Sequence, residues 1–76
     1  MPMKRVGTVS RTAQGVAIVR LDDDPPDIGT VVVDDSLSKV GRVVDVFGPV
    51  DGPYVAIAPS GGASPASLVG SKLYAR

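Results

Sequence analysis

Cysteine, histidine, tryptophan, glutamate and asparagine are all absent from this chain of 76 residues. Without cysteine there is no disulfide framework and no zinc–thiolate site, so packing alone must hold the fold. Without cysteine or histidine, the usual nucleophile and the side chain that titrates near neutral pH are also missing. An enzyme would have to be assembled from aspartate, lysine, serine and tyrosine. Charge of one sign is lacking too: eight basic residues balance eight aspartates, for a formal net charge of zero. Proteins that grip nucleic acid by neutralising phosphates usually carry a basic excess. The longest apolar stretches, such as Val31-Val32-Val33, fall far short of the ~20 residues that span a bilayer. Lys4 and Arg5 lead into Gly7, Thr8, Ser10 and Arg11, not into the apolar core of a signal peptide. The expectation is a soluble, cytoplasmic protein with one domain over residues 1–76, although composition alone does not separate it from a secreted protein without disulfides. A chain of this size buries only about 60% of its unfolded surface, so its stability margin is modest.

What is present is strand chemistry. There are fourteen valines, punctuated by seven prolines and nine glycines. Valine is stiff at χ1 and fits a pleated strand better than a helix. No window free of glycine and proline repeats apolar residues at i, i+3 and i+4. The pattern predicts strands at Lys4–Thr12, Val16–Leu21, Thr30–Val33, Lys39–Phe47, Tyr54–Ala58 and Lys72–Ala75. The run Asp22-Asp23-Asp24-Pro25-Pro26-Asp27 stops the second ladder, because prolines lack donors and aspartates favour water. Residues 59–67, rich in glycine, serine and proline, predict a flexible loop. Six short strands without a helix make an all-β fold, a closed or nearly closed barrel that removes exposed edges.

Four candidate sites follow from the residues. Val6-Gly7, Ile28-Gly29, Val40-Gly41 and Val69-Gly70 each place a β-branched residue before glycine near a strand start. Bulges and corners of a small barrel explain these better than a phosphate loop, since no G-x-G-x-x-G or P-loop pattern is present. The aspartates at 22–27 are the only metal-like cluster, but they lack the alternating ligands, central glycine and distal glutamate of an EF-hand. A solvated turn is the better reading, and neither a metal nor a cofactor is expected. Asp45 lies within a strand without a second acid or base at a useful spacing, which favours a solvent-facing or ion-paired role over catalysis. The aromatics are more informative: Phe47 and Tyr54 flank the turn Gly48-Pro49-Val50-Asp51-Gly52-Pro53. If Val44, Val46, Val55 and Ile57 form the core set, both rings point outward as an apolar partner surface. If a bulge at Gly48 shifts the register, Phe47 is buried instead. Alternation leaves both registers open.

The segment Lys39-Val40-Gly41-Arg42-Val43-Val44-Asp45-Val46-Phe47-Gly48-Pro49-Val50-Asp51-Gly52-Pro53-Tyr54 resembles the signature of the Gar-type small proteins of box H/ACA ribonucleoproteins. Ile28-Gly29-Thr30-Val31-Val32 before it and Leu68-Val69-Gly70-Ser71-Lys72-Leu73-Tyr74 after it are similar in the same order. The resemblance implies a six-stranded split β-barrel that docks on a dyskerin-like pseudouridine synthase. It implies an accessory subunit without catalytic residues, one that promotes substrate loading and product release in RNA-guided pseudouridylation of rRNA. Partner contact carries over to Phe47, Gly48, Pro49, Val50, Pro53 and Tyr54, and to Ile28, Gly29, Val40 and Gly41. The glycine–arginine-rich tails of eukaryotic members are absent, which argues for little direct RNA contact. Two other readings stay open: a barrel module that binds RNA directly, and a small enzyme that uses Asp45.

Overall fold

The chain opens with a hairpin whose turn chemistry is visible in the backbone of the computed structural model, which describes residues 4–21, 24–60 and 65–76. Strand β1 (Lys4–Ala13) turns at Gln14 and Gly15 into β2 (Val16–Leu21). Both turn residues have positive φ, 51° and 81°. That backbone twist matches the right-handed twist of the flanking strands. Then come β3 (Val31–Val33), β4 (Lys39–Phe47), β5 (Tyr54–Pro59) and β6 (Lys72–Ala75). One turn of 3-10 helix, Pro65–Leu68, precedes β6.

Every pairing is antiparallel, in the order β1-β2-β5-β4-β3-β6, and β6 returns to β1 to close the barrel. Closure matters for a chain rich in valine, because an open edge would be a template for aggregation. Alternation then sorts the side chains: Ala17, Val19 and Leu21 from β2 and Val55 and Ile57 from β5 point inward. Val6, Val9, Val32, Val40, Val43 and Leu73 complete the core, with Val46, Leu68 and Ala75 packed against it. None of these core side chains is aromatic; a barrel this narrow is filled by branched aliphatic side chains. At Gly41 a Cβ would fall on the Ala58 carbonyl oxygen, and at Gly7 on that of Arg20, so these two of the four strand-start glycines permit close backbone approach, whereas Gly29 and Gly70 have nothing near and positive φ.

Two sequence expectations meet the structure differently. Val44 does not belong to the core: Val43 is 1% exposed and Val44 46%. The reason is a bulge between Val43 and Asp45, where β4 carries one more residue than β5 opposite. A bulge inverts the alternation beyond it, so Val43 and Val46 both face inward. In the stretch expected to be a flexible loop, Ser60 N–H donates to the Val40 carbonyl at 2.9 Å, and Pro65–Leu68 forms the 3-10 turn. Residues 61–64 lie outside those described.

Candidate functional site: an apolar turn at one end of the barrel

Phe47 ends β4 and Tyr54 begins β5, and the two face each other in register. Their rings stack with centroids 5.9 Å apart and planes 19° from parallel. Phe47 points out of the barrel at 39% exposure, the ring direction of the first register, although Val44 of that register's core set lies outside. The six residues between them are constrained at several points. Gly52 N–H donates to the Pro49 carbonyl at 3.2 Å, closing a turn within the loop. The Pro53 carbonyl accepts from Leu21 N–H at 3.2 Å, which ties the loop exit to β2. Pro49 and Pro53 fix their own φ angles. Gly48 has φ of 99°, and a Cβ there would sit 3.1 Å from Tyr54 Cδ1. Only glycine turns the chain there without strain and leaves the Tyr54 ring in place. At the tip, Val50 is wholly exposed.

A second segment joins this end. Gly29 N–H donates to the Val43 carbonyl at 2.7 Å, and Val43 N–H donates to the Thr30 carbonyl at 3.0 Å. The β3 side of the barrel thus follows β4 as far as the bulge. Ile28 and Val44 come next in the same direction, toward Phe47, and Ile28 is 66% exposed. Ile28, Val44, Phe47 and Val50 are four of the six large exposed hydrophobic side chains among the described residues; Leu37 and Val69 are the others.

Of the sequence-predicted contact residues, Phe47, Gly48, Pro49 and Val50 are exposed, and Pro53 and Tyr54 are half-buried beside them. Ile28 and Gly29 are exposed on the adjoining segment. Val40 lies in the core and Gly41 packs on Ala58, so these two hold the barrel and present no surface. Val44 is a surface residue that alternation missed. Alternation carries no signal for it: Val43 and Val46, three apart, share the inner face only across a bulge.

The polar candidates are placed as follows. Asp45 is exposed, and its carboxylate accepts from Val46 N–H at 2.8 Å. That bond satisfies a backbone donor of β4, a structural task. Asp22 and Asp23 lie outside the described residues, among which no three carboxylates come together. Among the described residues no helix is long and apolar enough to cross a membrane.

Comparison with known proteins gives the chain a family. A family model described as the Gar1/Naf1 RNA binding region matches residues 3–76. An uncharacterized protein of Methanothermobacter thermautotrophicus is 32% identical over 75 residues, covering 95% of this chain and 82% of that protein. The chain belongs to the Gar1/Naf1 family, RNA-binding accessory proteins without catalytic activity that are associated with H/ACA ribonucleoproteins.

Proposed function

We propose that the chain is an accessory subunit of an archaeal box H/ACA ribonucleoprotein, working in the cytoplasm. It seats on a dyskerin-like pseudouridine synthase and promotes substrate loading and product release during rRNA pseudouridylation. The observation that carries this reading is the apolar turn: Phe47, Val50, Val44 and Ile28 exposed at one end of the barrel. Exposed apolar side chains gathered at one end of a small domain are a common mark of a protein interface. Aromatic anchors within such a patch typically dominate the binding energy. A loop already held by two prolines and two backbone bonds loses little entropy on docking.

A docked domain without catalytic groups acts through the enzyme's own equilibria. It shifts a mobile loop of the partner only as far as it contacts one loop position better than the other. Couplings of this kind are usually about 1–3 kcal/mol, or roughly 5–150-fold. Loop opening and product release often limit steady-state turnover. The synthase–guide complex alone should therefore modify one equivalent of RNA well and cycle slowly. Adding this protein should raise the multiple-turnover rate more than the single-turnover rate, and the Phe47→Ala variant should do so less. Equal stimulation of both rates, or none, would refute the reading.

A further inference from the structure

The net charge of zero hides a spatial separation. Of the six aspartates among the described residues, only Asp45 lies in a strand; Asp24, Asp27, Asp34, Asp35 and Asp51 are in connections. The cations show the opposite preference: Lys4, Arg5, Arg11, Arg20, Lys39, Arg42 and Lys72 are all strand residues. Strands β6, β1 and β2 are neighbours in the barrel and together carry five cations and no carboxylate. Their order is set by register. Thr8 pairs with Lys72 on one side and Arg20 on the other, so these two basic residues flank it in one row across the wall. Two strand spacings separate their backbones, about 10 Å. Arg11 pairs with Ile18, two residues before Arg20 on the same strand. Arg11, Arg20 and Lys72 are all exposed. The row continues from Arg20 through Tyr54 to Phe47, so the basic wall begins where the apolar turn ends.

We infer that the outer wall of β6, β1 and β2 is a second contact surface, one that meets the phosphate backbone of RNA and is centred on Arg11, Arg20 and Lys72. The inference rests on the ribonucleoprotein reading for the presence of RNA beside the docked domain, and it adds where on this chain that RNA lies. The chemistry is charge complementarity. Guanidinium and ammonium groups on a wall without carboxylates pair with phosphate oxygens, and arginine can do so bidentately. The wall has no exposed aromatic between Lys72 and Arg20, so it grips the backbone without reading bases. Each phosphate neutralised on a single strand releases about 0.7 counterion, which makes the contact weak at high salt.

The test is fluorescence anisotropy of a labelled single-stranded RNA of mixed sequence with the 76-residue protein, across a potassium chloride series. The variants are the triple change Arg11→Gln, Arg20→Gln, Lys72→Gln and the control pair Lys39→Gln, Arg42→Gln. Wild type should bind with a salt slope that the triple change flattens by about 2, weakening binding about 100-fold at 0.1 M salt. The control pair should cost much less, and synthase pull-down by the triple variant should be unchanged. That last measurement separates this proposal from the docking proposal, which Phe47→Ala probes. Equal losses from both sets of changes would mean bulk charge only and would overturn the inference. So would RNA binding that survives the triple change, that depends on Phe47 and Tyr54 instead, or that is not detected even at low salt. Loss of synthase pull-down with RNA binding intact would make the wall a protein face, which also overturns it.

Discussion

The two halves of β4 carry two valines each and do different things. Lys39–Val43 is laddered on both sides, by β3 and by β5, and buries Val40, Gly41 and Val43. Val44–Phe47 continues its ladder with β5 through Asp45, Val46 and Phe47. On its other side, among the described residues, no strand is paired with it beyond the bonds of Val43 to Gly29 and Thr30. The length mismatch is the cause: three residues of β3 cannot cover nine of β4. Where the partner runs out, a bulge turns Val44 to the outside, and Asp45 takes the amide of Val46. Val40 and Val43 are core, Val44 is surface and Val46 faces inward again, so burial here is decided by pairing and not by residue type.

The sharpest way to break this comparison is to put the same charge on each side of the bulge. Val43→Asp places a carboxylate in a core that has no buried polar partner for it among the described residues. Unpaired buried charge is among the most damaging changes to a fold, and about 4 kcal/mol or more is expected. A small barrel with a modest margin should then fail to melt cooperatively by circular dichroism. Val44→Asp, one residue away, should fold within about 0.5 kcal/mol of wild type and lose synthase binding in pull-downs. Equal damage from both would mean that the bulge does not separate them.

Strand placement was legible in the sequence because valine runs and turn residues alternate so regularly. Val16–Leu21, Lys39–Phe47 and Lys72–Ala75 match the structure end to end, and Ala13 and Pro59 extend two further strands by one residue each. Thr30 falls outside β3, although its carbonyl accepts from Val43. The turn Phe47–Tyr54 was legible as a turn, and the outward direction of its rings was one of two registers alternation allowed. What period-two reading cannot contain is an extra residue, and that is why Val44 was placed inside. Nor does net charge contain position. A sum of zero cannot show that, among the described residues, every carboxylate but Asp45 lies in a connection while five of the eight cations lie on β6, β1 and β2.

The turn itself gives the next effect. Phe47→Ala or Tyr54→Ala removes an aromatic anchor, and truncating such an anchor at an interface typically costs about 2 kcal/mol or more, roughly 30-fold in Kd. Folding should lose less, about 1 kcal/mol, because the stacked pair lies outside the barrel and its loss leaves no internal cavity. Thermal melts and synthase titrations on the same preparations separate the two costs. Melts that collapse while the folded fraction still binds normally would make the pair a structural clasp and not a docking surface.

The smallest expected effect bears on the reading in which Asp45 does chemistry. Its exposed carboxylate accepts from Val46 N–H on the less covered side of β4. If that backbone bond is its task, the acceptor matters and the charge does not. Asp45→Asn keeps a side-chain carbonyl of the same reach, and its melting behaviour should be within about 0.5 kcal/mol of wild type. Asp45→Ala leaves the Val46 amide to water, and about 1 kcal/mol is the ordinary worth of such a bond. Both variants should stimulate the synthase complex as wild type does, once enough folded protein is present. A general base would behave in the opposite order: Asn would abolish the effect on turnover at full stability, since an amide cannot take up a proton at neutral pH. Measuring melts and multiple-turnover rates for Asp, Asn and Ala at this one position therefore distinguishes a strand-edge cap from a catalytic carboxylate.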